Sequence, residues 1–215
     1  MQHKSKEEVR KKKIVICISG MAGSGKSTVA KRLAEHYGLK YYSGGDALKA
    51  IAADMGYKIA GEGWWETTEG IRFLEKRLGN LEIDRKVDEK LLEWANQGGV
   101  VLDSWAMPWL LRKGFKIWLE TSEKVRAQRL AERDGISLDK ALNILREKEA
   151  KTKEIFKKLY GFKLGEDLEP FQLILDVNLL NKDEVYEALR MAIDNLIIKN
   201  TESGNRSKTG RKGIN

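Results

Sequence analysis

Gly20-Met21-Ala22-Gly23-Ser24-Gly25-Lys26-Ser27-Thr28 is the stretch on which the fold turns. It fits the pattern G-x-x-x-x-G-K-[ST], and its surroundings give that pattern physical meaning. The apolar run Ile14-Val15-Ile16-Cys17-Ile18 precedes it and reads as a buried strand. A helical pattern follows, with Val29, Leu33, Ala34 and Tyr37 on one face. Strand, glycine loop and helix make a setting in which backbone N–H groups converge on an anion, helped by the partial positive charge of the helix N-terminus. Lys26 is expected to bridge the outer phosphates of a nucleoside triphosphate, with the Ser27 hydroxyl on Mg²⁺. Every residue from Gly20 to Thr28 is thus a candidate ATP contact.

Outward from this loop, strands alternate with helices. Lys40-Tyr41-Tyr42, Val100-Val101-Leu102-Asp103, Phe115-Lys116-Ile117-Trp118-Leu119 and Phe171 to Asp176 read as further strands. Helical patterns cover about 46–55, 67–78, 84–96, 123–133, 138–160 and 182–198. Asn181 and Glu184 make a capping pair for the last, which carries the stripe Val185, Leu189, Ile193 and Leu196. Strands joined by crossover helices predict an α/β fold: a parallel five-stranded sheet flanked by helices, with ligands at the carboxyl ends of the strands. Two stretches break the simple alternation. Residues 44–96 form a helical insertion, and residues 133–168 a long charged helical piece. Two helical arms over one phosphate loop suit an enzyme that keeps water away from a reactive phosphate.

The composition narrows the class. The 215 residues suit one domain, 14–198, with an insertion. The formal charge is +8, but the excess sits in the two ends. Residues 1–13 carry six Lys/Arg against two Glu, and residues 199–215 five against one, while the body has 29 of each sign. We therefore read 1–13 as a basic extension and 199–215 as a basic, unstructured tail. No aromatic-basic interleaving marks a nucleic-acid surface. No apolar run reaches the ~18 residues of a membrane span, and no leader precedes the first strand. Cys17, buried by pattern, is the only cysteine. A reducing cytoplasm is the expected setting, and a monomer the expected state.

Several side chains carry candidate chemistry. Asp103 ends a buried strand, where a carboxylate holds Mg²⁺ beside a phosphate loop or caps the next turn. Arg126, Arg129 and Arg133 are spaced to share one helix face, and a guanidinium matches the charge on a transferring phosphoryl group. Arg129 and Arg133 are the catalytic candidates beside Lys26. Ser43-Gly44-Gly45-Asp46 opens the insertion, with Lys49 one turn on. That is either a second anion site or a plain helix cap. Trp64, Trp65 and Trp105 fall in the expected cleft, where one can wall it or stack on a base. No Ser/His/Asp set or metal-type Cys/His cluster is visible. A phosphate acceptor needs no base, being already an anion, whereas a hydroxyl acceptor wants one, and Asp46 is placed for that role.

Four stretches in order resemble the nucleoside monophosphate kinases, and most closely the archaeal-type cytidylate kinases. They are Ile18 to Leu33; Tyr42 to Lys49; Ile83-Asp84-Arg85-Lys86-Val87-Asp88; and Val125 to Ser137, followed by Arg146 and Leu159-Tyr160-Gly161-Phe162. The resemblance implies transfer of a phosphoryl group from ATP to CMP or dCMP with Mg²⁺ on Ser27 and Asp103. Residues 44–96 are then the monophosphate-binding part, with Ser43, Asp46, Lys49, Asp84, Arg85 and Trp105 on the acceptor, and residues 133–168 are the lid. The chain departs from the family at three points. Trp105 stands where relatives carry an Arg to the acceptor phosphate, Ile155-Phe156 stands where they often have Arg-Tyr, and Lys49 stands where many carry Arg. The donor half matches and the acceptor half is altered, so another small-molecule acceptor, or an ATP-binding protein with a degenerate acceptor site, stays open.

Overall fold

The computed structural model describes residues 14–59 and 61–209. The chain divides after Leu179 into two compact units. In the first, five strands form one sheet: β1 (Val15–Gly20), β2 (Lys40–Ser43), β3 (Val100–Asp103), β4 (Phe115–Glu120) and β5 (Leu173–Asp176). All pairings are parallel and the order is β2-β3-β1-β4-β5. β1 and β3 are almost wholly buried, as expected of central strands covered on both faces. The fifth strand starts at Leu173 rather than Phe171, because Gln172 spends its backbone N–H on the Lys116 carbonyl and its side-chain oxygen on the Lys116 N–H.

Between the strands run α1 (Lys26–Tyr37), α2 (Gly44–Asp54), α3 (Thr68–Gly79), α4 (Glu82–Gln97), the single turn α5 (Met107–Leu110), α6 (Glu123–Asp134) and α7 (Leu138–Tyr160). A 3-10 turn spans Glu62–Glu66. Helices α2 to α4 are the expected insertion between β2 and β3, and α7 the expected charged arm before β5. Gly38 ends α1 in a left-handed conformation, the role its position predicts. Helix α2 begins two residues before the expected Asp46, because Ser43 accepts the Asp46 N–H at 3.1 Å and the glycines wind at once.

The register sets the site. Ser43 and Ile18 both pair with Asp103, and Gly20 pairs with Leu119. The phosphate loop therefore leaves the middle strand of the sheet between β3 and β4, where α/β sheets place ligands. One core cluster joins Cys17 and Leu102 to Leu48, Trp64, Phe73 and Leu91 of the insertion. Another joins Met21 and Trp118 to Ile155, Phe156 and Phe162. Cys17 is fully buried, and burial pushes its thiol well above the ordinary range, so it stays a protonated core residue.

The second unit is α8 (Lys182–Thr209). Asn181 accepts from the Asp183 and Glu184 N–H groups, and Glu184 accepts the Asn181 N–H at 2.8 Å, the capping pair read from sequence. The helix runs beyond the expected end at 198 to Thr209, which corrects the reading of 199–215 as unstructured from its first residue. Mixed Lys, Glu, Arg and Asn without proline can continue a helix already nucleated. The basic extension 1–13 lies outside the described residues. Among the described residues no helix is long and apolar enough to cross a membrane.

Candidate active site

A cavity of about 650 Å³ opens at the carboxyl ends of β1, β2 and β3. Its floor is the phosphate loop: Ala22, Gly23, Gly25, Lys26, Ser27 and Thr28 all line it. Gly25 caps α1 with φ 90° and no side chain caps the helix, so its first N–H groups are left to an anion. Gly20 is needed for packing: a Cβ there meets Ser24 Oγ at 2.7 Å and the Leu119 carbonyl at 2.8 Å. Met21 and Ser24 are buried beneath the loop, which leaves them as its support.

Lys26 Nζ donates to the Met21 carbonyl at 3.3 Å and lies 5.3 Å from the centre of the Trp105 ring. Burial lowers its pKa while the Asp103 carboxylate pulls the other way. Ser27 Oγ donates to Asp103 Oδ2 at 2.5 Å, and the Tyr41 hydroxyl donates to the same oxygen at 3.1 Å. The two expected metal residues, 76 positions apart in the chain, are thus in contact. Tyr41 was not anticipated. Burial raises its phenol pKa above the ordinary range and the Asp103 charge reinforces that, so it remains a donor.

The three arginines of α6 share a face, as their spacing predicts, but have three different environments. Arg126 is buried and structural: it donates to the Thr121 and Ala22 carbonyls and to the Glu149 carboxylate. Arg129 lines the cavity and reaches over the loop to the Gly23 and Ser24 carbonyls, at 3.5 and 3.3 Å. Arg133 lines the cavity and is paired with Asp134 and with Glu66 at 3.0 Å. Those carboxylates hold its guanidinium more firmly protonated than usual.

Across the cleft lie Ser43, Asp46 and Lys49 of the α2 entry, with the Ser43 hydroxyl occupied as the helix cap. Trp105 also lines the cavity, but its indole N–H is bound to the Gly20 carbonyl at 2.7 Å. It therefore belongs to the wall of the phosphate loop rather than standing free for an acceptor. Asp84 is in the wall too, tied by both oxygens to Arg77, which donates from Nε at 3.0 Å and Nη2 at 2.5 Å. The expectation for Arg85 is corrected: it points to solvent, half exposed and paired with Glu82, and is not among the lining residues. Helical periodicity explains this, since Asp84 and Asp88 share the buried face of α4 and Arg85 does not. Ile155, fully buried in the apolar cluster with Leu74 and Phe156, offers no polar group.

Sequence reasoning also missed Lys148, Arg77 and Asp88 in the lining. Lys148 of α7 is buried, and its ammonium donates to Glu66 at 2.7 Å. Burial lowers its pKa and the Glu66 charge opposes that. Arg77 is 2% exposed. Asp88 accepts a hydrogen bond from Tyr160 at 2.9 Å, and burial pushes its carboxyl up to about 7. Of the tryptophans, Trp65 is the one in the acceptor wall, with Arg77 and Lys148 over its ring at 5.8 and 5.7 Å, whereas Trp64 is core. A charged residue on the apolar face of an amphipathic helix is the signal that would have flagged Arg77, Asp88 and Lys148.

Among solved structures, the chain superposes on a shikimate kinase from Acinetobacter baumannii in complex with shikimate with a TM-score of 0.52. The two are 20% identical, with 90% of this chain and 98% of that one covered, a likeness of fold. By sequence the chain is 34% identical to the cytidylate kinase of Pyrococcus horikoshii over 187 residues, 86% of this chain and 91% of that protein. It is 37% identical to the cytidylate kinase of Aeropyrum pernix over 174 residues, 80% and 94% respectively. The model of the cytidylate kinase-like family matches residues 15–179, the whole span from β1 to the end of the first unit. With that match, a P-loop kinase sheet and a phosphate loop whose Ser27 meets Asp103, this chain belongs to the cytidylate kinase-like family, an ATP-dependent phosphotransferase.

Proposed function

We propose that the protein transfers the γ-phosphoryl group of ATP to CMP or dCMP. The observation that carries this reading is the single cavity wall that runs from Lys26 and Arg129 on the donor side to Asp84 and Asp88 on the insertion. One ligand end sits on the phosphate loop, and a second ligand fits against the inserted helices. Lys26 and the N-terminus of α1 hold the ATP phosphates, and Arg129 and Arg133 balance charge on the transferring group. The acceptor phosphate is its own nucleophile, so no general base is required, and Asp46 has no proton to remove. Charged lining on both arms, with Trp65 and Phe156 between, replaces water around the reacting groups.

Ser27 and Asp103 fit Mg²⁺. Their oxygens touch, and among the described residues no cluster of three or more acidic, His or Cys ligands competes as a metal site. One or two protein oxygens plus phosphates and water is how Mg²⁺ is usually held. Held by Ser27 and Asp103, it would supply positive charge to neutralise the ATP phosphates. A buried lone thiol fits a reducing cytoplasm.

The test is ADP release measured with CMP, dCMP, UMP, AMP and GMP. CMP and dCMP are expected to raise it well above the rate with ATP alone. If all five leave it at that baseline, the reading fails. Asp46→Asn separates acceptor classes: a phosphate acceptor keeps most of kcat, whereas a hydroxyl acceptor loses it by about a hundredfold or more.

A further inference from the structure

We infer that Arg77 and Asp88 read the hydrogen-bonding edge of the acceptor base, selecting cytosine over uracil. This deepens the proposed function and rests on it. The starting point is a group of buried ionisable side chains in the cavity wall. Arg77, Asp84 and Asp88 are 2%, 3% and 5% exposed, and all three line the cavity. Buried ion pairs stabilise folds poorly, because desolvation offsets the attraction. Only Asp84 is ion-paired with Arg77, while Asp88 has the Tyr160 hydroxyl as its partner.

Each group has one hydrogen-bonding edge fixed and one left over. Arg77 gives Nε and Nη2 to Asp84, and its Nη1 has no hydrogen bond among the described residues. Asp88 takes the Tyr160 hydroxyl on Oδ2, and its Oδ1 has none among the described residues. Asp84 and Tyr160 thus act as positioning groups: they fix which donor and which acceptor remain. Arg77 and Asp88 both line the cavity, from the consecutive helices α3 and α4 that the Arg77–Asp84 pair joins. The lining beside them is apolar and aromatic, from Trp65, Leu74, Val87 and Phe156, a slot suited to a planar ring.

Cytosine shows an amino donor at N4 next to acceptors at N3 and O2. An acid accepting from the cytosine N4 amine is an established mode of base reading. Asp88 Oδ1 accepts from N4–H, and Arg77 Nη1 donates to N3 or O2. Uracil reverses two of these groups, setting O4 against the carboxylate and N3–H against the guanidinium. A site whose buried polar groups are left unpaired rejects such an analogue strongly.

The experiment measures kcat/KM for CMP and UMP in the wild type, Asp88→Asn, Arg77→Lys and Arg77→Gln, with thermal unfolding as the check on folding. Asn places an N–H donor opposite O4, so Asp88→Asn is expected to lower the CMP-to-UMP ratio by at least about tenfold. Arg77→Lys keeps the charge but not the fork and is expected to lower the ratio less than Arg77→Gln. Asp88→Asn is nearly isosteric and answers the question even if the Arg77 variants do not fold. A folded Asp88→Asn enzyme with the wild-type ratio overturns the inference and leaves the proposed function standing. Uniform loss on both substrates overturns it too, in favour of a phosphate-binding role. A wild type inert toward CMP overturns both.

Discussion

Asp88 shows how much one buried residue can carry. Unfolded, its carboxyl loses a proton near pH 4. Folded, burial holds the proton up to about pH 7, with Asp84 adding to the shift and Tyr160 and Arg77 opposing it. Between those values the folded state binds more protons than the unfolded one, so stability falls as pH rises from 4 to 7. Asp88→Asn removes that dependence. Its melting temperature is expected to gain on the wild type between pH 5 and 8, by an amount equivalent to at most about 4 kcal/mol; parallel melting curves for the two proteins would contradict it. Lys26→Ala is expected to lower kcat by at least a hundredfold, roughly 3 kcal/mol or more of transition-state stabilisation, measured as ADP release. Residues like Lys26 were legible because motif and chemistry coincide within one short stretch. Lys148 was not, because its partner Glu66 lies 82 positions away and only the packing of α7 over the insertion brings them together. Arg77 was hidden differently: its partner is seven residues on, across the turn between two helices whose relative angle no local pattern states.

At the scale of elements, the phosphate loop is a set of glycines with unequal tasks. Gly20→Ala drives a methyl into the Leu119 carbonyl of β4, whereas Gly25→Ala meets open space and pays only for its φ of 90°. Gly25→Ala is therefore expected to cost about 1–2 kcal/mol of stability, and Gly20→Ala clearly more, as read by denaturant unfolding. Helix α6 repeats the lesson. Its arginine stripe was legible from spacing, but the division of roles was not, because it depends on what each guanidinium meets. Arg126→Ala leaves Glu149 nearly buried without its partner and is expected to destabilise by about 3–5 kcal/mol. Arg129→Ala should instead spare the melting temperature and lower kcat, measured as ADP release. The starts of α2 and β5 were the least legible boundaries, and the single turn α5 was not read at all. Each boundary is decided by one side chain or one backbone bond, such as the Gln172 bonds that delay β5.

Across the whole first unit, the sheet was legible because alternation of apolar strands and amphipathic helices leaves few topologies, and the phosphate loop fixes which strand is central. What composition could not supply was the way the two arms meet over the cleft. Binding at the central loop should stabilise the whole cooperative unit. ATP with Mg²⁺ at a hundred times its Kd is expected to add about 2.7 kcal/mol, a rise in melting temperature of roughly 5–10 °C that Lys26→Ala should largely abolish. The meeting of the arms comes down to Glu66. One of its oxygens holds Lys148 of α7 and the other holds Arg133 at the end of α6, while its backbone belongs to the turn before α3. A single carboxylate thus acts as the shared clasp of two separately anchored cations. An incoming phosphate competes with that carboxylate for both cations. Unfastening is then an exchange of one anion for another, in which the cleft's cations keep a counter-charge throughout.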